Sequence, residues 1–341
     1  MLLEKTWAKL NGSYALIDDN IFKMEAILES LTGAQCVVLN HDDENLWNYL
    51  LEAKEKGWII SGSAANTKAS KELLEEMGLT GSFAYAILDV MEVEMKEGAE
   101  QIIKLRNPWG TKEWAGEWSS SSNIWTEDLR KKLSWGNEQS LESKVFWMSY
   151  GDFCHYFSRV QICKVDPECV YSSLRLSLDR RPSCVRISVT KSTPAFITVH
   201  QPNKDYYSYS DYEYLLARLI IAKLEKDKKE GKNKYVYIKG NMKLDRELCE
   251  EHIFEEGEYL LYIETEKRKN TKEETKSKVS VIEADDDYPI TLSVYATKDV
   301  ILKGDEWAQH PRFLENVYSS CAVMNGEQFV YNLEGAPQCA K

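Results

Sequence analysis

The 341 residues include 43% apolar ones, enough length and apolar material for two domains with real cores. A formal net charge of −12 excludes a general nucleic-acid binder, which needs basic patches, and no apolar run marks a secretory leader or a membrane span. The eight cysteines, at 36, 154, 163, 169, 184, 249, 321 and 339, lack metal-ligand spacing, which predicts reduced thiols in the cytoplasm.

In chain order, Cys36 opens the apolar run Cys36-Val37-Val38-Leu39 and reads as a buried structural thiol rather than a nucleophile. His41 follows it and reads as preceding a helix rather than as a base. Residues 43–56 carry Leu46, Trp47, Leu50 and Leu51 at helical spacing, with acidic residues in the first turn, Asp42 or Asp43 as cap, and Gly57 behind. Residues 70–77 predict a second helix, ended by Gly78. Strands are expected over 84–93 and 101–106, joined by a solvated connection over 94–98. Thr126 caps a short helix to 133, and another helix is expected over 150–157.

From residue 164 the pattern changes to short alternating strands, at 173–178, 185–190, 196–200, 235–238, 259–265, 279–283 and 290–296, which predict an antiparallel β-sandwich. Residues 212–224 have helical or long-strand character and precede a charged run over 225–234. Two further charged segments follow: a Lys-rich stretch over 266–278 and the acidic group Glu283, Asp285, Asp286 and Asp287. Carboxylates so clustered can hold calcium, and Lys-rich loops attract anionic lipid headgroups at about 1 kcal/mol each. His200 and His252 read as ordinary strand or surface histidines. The tail over 301–341 gives no reading, and no EF-hand loop spacing occurs.

One stretch concentrates the information. Strand 102–106 ends on Asn107-Pro108-Trp109-Gly110. Pro108 lacks an N–H and biases Asn107 towards extended backbone, so the strand stops with the asparagine amide at its edge. Six of the ten tryptophans, at 109, 114, 118, 125, 135 and 147, follow in close succession, read as packing before substrate contact.

Asn107-Pro108-Trp109-Gly110, Glu113-Trp114-Ala115-Gly116-Glu117-Trp118 and Phe146-Trp147-Met148-Ser149-Tyr150-Gly151-Asp152-Phe153 together resemble the second half of the calpain protease core. The likeness extends upstream through Glu4-Lys5-Thr6-Trp7-Ala8-Lys9-Leu10-Asn11-Gly12-Ser13-Tyr14, Leu31-Thr32-Gly33 and Leu46-Trp47, and downstream to Phe157-Ser158-Arg159-Val160-Gln161-Ile162-Cys163. Phe196 to Gln201 and Gly257 to Ile263 resemble strands of the calpain β-sandwich. The resemblance implies an α+β chain: the C-terminal half of a papain-like core over 1–160, an antiparallel sandwich over 161–300, and an unassigned extension over 301–341.

A calpain uses Cys, His and Asn in that chain order, with the Asn orienting the His and a Trp shielding the bond between them. Asn107 and Trp109 match the last two of these roles. The family's histidine lies in a Gly-His-Ala-Tyr stretch, and here Gly81-Ser82-Phe83-Ala84-Tyr85 places Phe83 there. Phenylalanine has no titratable nitrogen and cannot move a proton. The cysteine's pattern, expected well before Lys9, does not occur in the sequence. The family's calcium site in this half keeps Glu113, but Ser120 stands at a usual Asp, and Ser143-Lys144-Val145 replaces an Asp-x-Glu; Glu117, Glu138 and Glu142 are the remaining nearby carboxylates. Calcium takes about six to eight oxygens, and lysine or valine supplies none. The resemblance therefore implies a calpain-like protein without proteolysis, acting as an interaction or regulatory module. Its expected partners are proteins and, peripherally, anionic lipid, with no firm cofactor and calcium only in the sandwich. The alternative is a fragment of an intracellular calcium-dependent cysteine endopeptidase.

Overall fold

The computed structural model describes residues 2–10, 13–18, 24–64, 70–81, 83–96, 98–108, 113–135, 144–177, 183–202, 214–226, 233–266, 289–305, 330–332 and 336–338. The chain divides into two compact units, one over Ile17–Asp166 and one combining Met1–Leu16 with Pro167–Lys341. Among the described residues no helix is long and apolar enough to cross a membrane.

Helices α1 (Leu2–Leu10) and α2 (Tyr14–Asp18) begin the chain. The first unit is built on six antiparallel strands: β1 (Cys36–Asn40), β2 (Ile59–Ser63), β3 (Ala84–Met95), β4 (Gly98–Arg106), β5 (Val145–Ser149) and β6 (Arg159–Cys163). They lie in the order β1-β6-β2-β3-β4-β5. Around them are α3 (Met24–Thr32), α4 (Leu46–Lys56), α5 (Lys71–Glu76), α6 (Glu127–Lys132) and α7 (Tyr150–Tyr156). Ser70, Thr126 and Ser149 cap α5, α6 and α7 by accepting the N–H of Leu73, Leu129 and Asp152.

Two local expectations are corrected. The helix expected from residue 43 starts at Leu46, because Asp43 does not cap it. Its carboxylate accepts the Asn45 N–H (2.9 Å) and its carbonyl the Leu46 N–H (3.0 Å), which closes a turn ahead of the helix. The other end is as expected: Gly57 takes the left-handed conformation (φ 69°) that ends helices. The solvated connection over 94–98 is instead mostly strand, since β3 and β4 pair out to Met95↔Gly98. Gly98 turns the chain at φ 127°, where a side chain would be strained.

A bulge between Ile87 and Asp89 shifts the pleat of β3. Lys54 of α4 reaches this bulge, contacting Asp89 Oδ1 (2.6 Å) and the Val90 carbonyl (2.9 Å). The hairpin buries both faces. Tyr85, Ile87, Val90, Ile103 and Leu105 join Leu46, Leu50, Phe153 and Phe157 in one core. On the other side Val93, Ile102 and Trp147 pack with Trp118, Trp125 and Trp135. Trp125 stacks on Trp135 at 4.1 Å between centroids and meets Trp118 edge-on at 5.2 Å. These tryptophans are interior packing.

The second unit carries β7 (Cys169–Ser177), β8 (Ser183–Val189), β9 (Thr193–His200), β10 (Leu216–Lys226), β11 (Asn233–Leu244), β12 (Glu247–Phe254), β13 (Gly257–Glu266), β14 (Pro289–Thr297) and β15 (Val300–Asp305). A five-stranded sheet, β11-β10-β13-β8-β15, and a four-stranded one, β12-β9-β14-β7, share one core that includes Ile187, Ile197, Leu219, Leu261 and Leu292. The stretch of ambiguous character is β10, whose residues from Ala217 to Ala222 are all buried. A strand covered on both faces loses its alternation, which is why its sequence reads equally as helix. Part of the unread tail belongs to the sheets: β15 pairs with β8, and β16 (Val330–Asn332) pairs with β17 (Ala336–Gln338). The strand expected over 279–283 lies outside the described residues.

Candidate functional site

Strand register gathers six chain positions at one end of the six-stranded sheet. They are His41 after β1, Ser158 before β6, Ala64 after β2, Phe83 before β3, Asn107 after β4 and Lys144 before β5. Asn107 is 3% exposed, and its N–H donates to the Lys144 carbonyl at 2.9 Å. Lys144 holds a left-handed backbone (φ 52°) and its ammonium donates back to the Pro108 carbonyl at 3.3 Å. The bend after β4 is thus tied on both sides to the entry of β5. Trp109, the expected shield, lies outside the described residues.

Phe83 stands at the same hairpin end, half-buried, with its carbonyl accepting the Ala64 N–H at 3.4 Å. Two residues on, fully buried Tyr85 fixes the approach to the strand. Its hydroxyl accepts the Thr80 N–H (2.6 Å) and donates to the Thr80 carbonyl (3.2 Å). Its ring meets Phe157 and Phe146 edge-on. Burial pushes the phenol above its ordinary value, so the donor is held protonated. Tyr85 was not singled out from sequence; the signal available was a tyrosine two residues beyond the position occupied by Phe83.

Cys36 and His41 stand apart in the structure. They lie at opposite ends of the five-residue strand β1, about 17 Å apart at strand rise. No dyad forms between them. His41 is also separated from Asn107 by four strand spacings, about 19 Å along the sheet. Its backbone N–H donates to the Ser158 carbonyl at 3.1 Å, which holds it at the β1 edge.

Glu113 is exposed, and its carboxylate accepts the Ser120 N–H at 3.2 Å. The loop from 113 to 120 is anchored by apolar and backbone contacts: Trp114 stacks on Phe146, its Nε1–H donates to the Glu117 carbonyl (2.7 Å), and the Ala115 N–H donates to Met77 O (3.1 Å). Gly78 is required here, because a Cβ on it would lie 1.9 Å from the Glu113 carbonyl oxygen and its φ is 76°. Among the described residues no three His, Cys, Asp or Glu side chains gather as a metal site. Glu138, Glu142, Glu283, Asp285, Asp286 and Asp287 lie outside the described residues.

Comparison with known proteins matches residues 1–164 to the family model described as calpain family cysteine protease. Rat calpain-8 is 36% identical over 176 residues, covering 50% of this chain and 24% of the relative. Chicken calpain-2 catalytic subunit is 31% identical over 177 residues, again 50% of this chain and 24% of the relative. The maize calpain-type cysteine protease DEK1 is 33% identical over 181 residues, 50% of this chain and 8% of the relative. The chain therefore spans a quarter or less of the length of these relatives.

Proposed function

We propose that this chain, whose residues 1–164 belong to the calpain family of cysteine proteases, forms the asparagine-bearing half of that fold without its proton-transfer chemistry and works as a protein-interaction or regulatory module in the cytoplasm. The observation that carries this reading is Phe83 at the hairpin end shared with Asn107. A cysteine protease needs an imidazole there to take the thiol proton and return it to the leaving amine. A phenyl ring does neither. Asn107 then retains a structural role, closing the β4 bend, and the loop from 113 to 120 is held by its tryptophan and backbone contacts rather than by calcium. Calcium, where it acts on this protein, acts through the acidic segment 283–287 of the sandwich.

The test is cleavage of unfolded casein with and without millimolar calcium. The chain and its Phe83→His variant are each assayed alone and joined to the cysteine-bearing segment of a calpain. The expected result is activity only for Phe83→His in the joined form. Calcium-dependent cleavage by any form that keeps Phe83 overturns the reading.

The partial coverage of its relatives favours a second reading, in which the chain is one segment of a working calcium-dependent cysteine endopeptidase. That reading requires an imidazole from elsewhere to enter the site. It predicts activity for the joined form with Phe83 retained.

A further inference from the structure

At the opposite end of the same sheet, Cys36 of β1 faces Cys163 of β6 in direct register. The kind of pairing follows from the hydrogen bonds that bracket the two strands. The Lys164 N–H donates to the Gln35 carbonyl (2.9 Å) and the His41 N–H to the Ser158 carbonyl (3.1 Å). Odd positions of β1 are therefore the hydrogen-bonded pairs, and Cys36/Cys163 is a non-hydrogen-bonded pair. In such a pair the Cα atoms stand about 4.5 Å apart with their side chains close, inside the span of about 4.4–6.8 Å that a disulfide bridges.

The surroundings distinguish the two sulfurs. Cys163 is fully buried, with its Sγ 3.4 Å from the Thr32 hydroxyl and 3.9 Å from the Ala34 carbonyl. Cys36 is half-buried on an edge strand, so an oxidant reaches the pair from its side. The hydrogen bond from Cys36 holds the Cys163 thiol below its ordinary value, and the same bond, with burial, pushes Cys36 up. The pair loses one proton easily and the second with difficulty, as a coupled dithiol does. Cys154 on α7 is the contrast: it is half-buried, and burial raises its thiol.

We infer that Cys36 and Cys163 form a reversible redox site, a dithiol that hydrogen peroxide or a low-molecular-weight disulfide converts into a cross-strand disulfide. With peroxide, Cys36 passes its proton to the Cys163 thiolate, its sulfur attacks one peroxide oxygen, the O–O bond breaks, and Cys36 becomes a sulfenic acid as water leaves. The Cys163 sulfur then attacks the Cys36 sulfur, the S–S bond forms, the S–O bond breaks, and a second water leaves with the Cys163 proton. Two thiols and one peroxide give one disulfide and two waters. With glutathione disulfide the same link forms by two exchange steps, releasing two glutathione thiols. The link ties edge strand β1 to β6 and closes a loop that contains β2 to β5, and with them the Phe83/Asn107 hairpin.

The test uses the full reduced chain in glutathione buffers of graded potential and, separately, in sub-millimolar hydrogen peroxide. The expected product has lost two hydrogens in mass, yields a Cys36–Cys163 linked peptide on non-reducing digestion, and melts roughly 5–10 °C higher until dithiothreitol reverses it. Cys36→Ser and Cys163→Ser each abolish the linked peptide and the shift, and Cys163→Ser leaves Cys36 as a glutathione adduct. Oxidation of Cys36 to a sulfinic acid with no link, or a link to Cys154 or any other cysteine in the folded chain, overturns the proposal. So does a Cys36–Cys163 link that appears only when urea is present.

Discussion

The second unit contains a complete hydrogen-bonded Ser-His-Glu series, whereas the first, which falls largely within the span that matches a protease family model, brings Phe83 and Asn107 to one sheet end. On the four-stranded sheet His200 Nε2 lies 2.6 Å from Ser293 Oγ and Nδ1 lies 3.2 Å from Glu247 Oε1. By connectivity this is the arrangement of a hydrolytic triad. By position it is not a site. Ser293 is 4% exposed, and β14 pairs with both β7 and β9 at that point, so the neighbouring N–H groups belong to the ladders and none is left to stabilise an oxyanion. At the other extreme, Phe83 and Asn107 stand at a sheet end where strands stop and turns begin. A constellation of residue types does not define chemistry unless its place in the fold leaves room and donors for a substrate.

The largest expected effect tests what holds the hairpin end in place. Tyr85→Ala removes a fully buried ring with two edge-on aromatic partners and both hydroxyl bonds to Thr80, and costs about 3–5 kcal/mol in urea denaturation of the chain. Tyr85→Phe isolates the hydroxyl, at about 1–2 kcal/mol. Equal losses in the two variants would assign the clamp to the hydroxyl alone.

The Ser-His-Glu series ranks next. His200→Ala leaves the buried Ser293 hydroxyl without its imidazole partner and costs about 1–3 kcal/mol. No change in hydrolysis of activated esters accompanies it, and a fluorophosphonate probe leaves Ser293 unlabelled in the wild-type chain. Labelling at Ser293 that His200→Ala removes would break the comparison, because it would make the sandwich the catalytic unit. A smaller effect belongs to Glu113→Ala, which deletes the carboxylate acceptor of the Ser120 N–H. About 0.5–1 kcal/mol is expected, and calorimetric calcium titrations of variant and wild type should superimpose. A weakened calcium isotherm would give the loop from 113 to 120 a metal role.

How much of this was legible in the sequence differs between the two units for a physical reason. The cap at Thr126 and the stops at Gly57 and Gly78 were readable because each depends on one or two residues, whereas the cap read at Asp42 or Asp43 was not realised. Strands with one wet face, such as β9, were readable from alternation. Strands β2, β5 and β6 were not, because each is covered on both sides and short, and periodicity says little about three or four buried residues. Strand β12 was missed for the opposite reason: Glu247, Glu250 and Glu251 make it look like a loop, yet Glu250 is buried against Lys239 at 2.6 Å. At the candidate site, the identities of Asn107 and Phe83 and the hairpin that presents both could be read directly, but the offset between them could not, since it depends on the β3–β4 register with its bulge. The pairing of Cys36 with Cys163 was likewise invisible, because 127 positions separate the partners and β1 and β6 meet only in the folded sheet.

The smallest effect compares how the sandwich uses charge at its surface. Lys223 Nζ lies 2.6 Å from Glu255 Oε2 and 5.6 Å from the Tyr259 ring centroid. The hydrogen bond from Lys223 holds the Glu255 carboxyl below its ordinary 4.5, and the same bond raises Lys223. A carboxylate whose folded value is depressed stabilises the fold above its unfolded value and loses that contribution as pH falls through the folded one. For Glu255 the loss therefore begins near pH 4.5 and continues below it. Lys223→Met removes the cause of the shift, so the variant's midpoint should track the wild type's less steeply on the acid side and run parallel to it above pH 6. Because Glu255 is exposed, added salt should shrink the difference. If the two acid limbs coincide at low salt, the pair contributes nothing to the fold, and the Tyr259 ring, over which Lys223 Nζ lies, accounts for any residual loss.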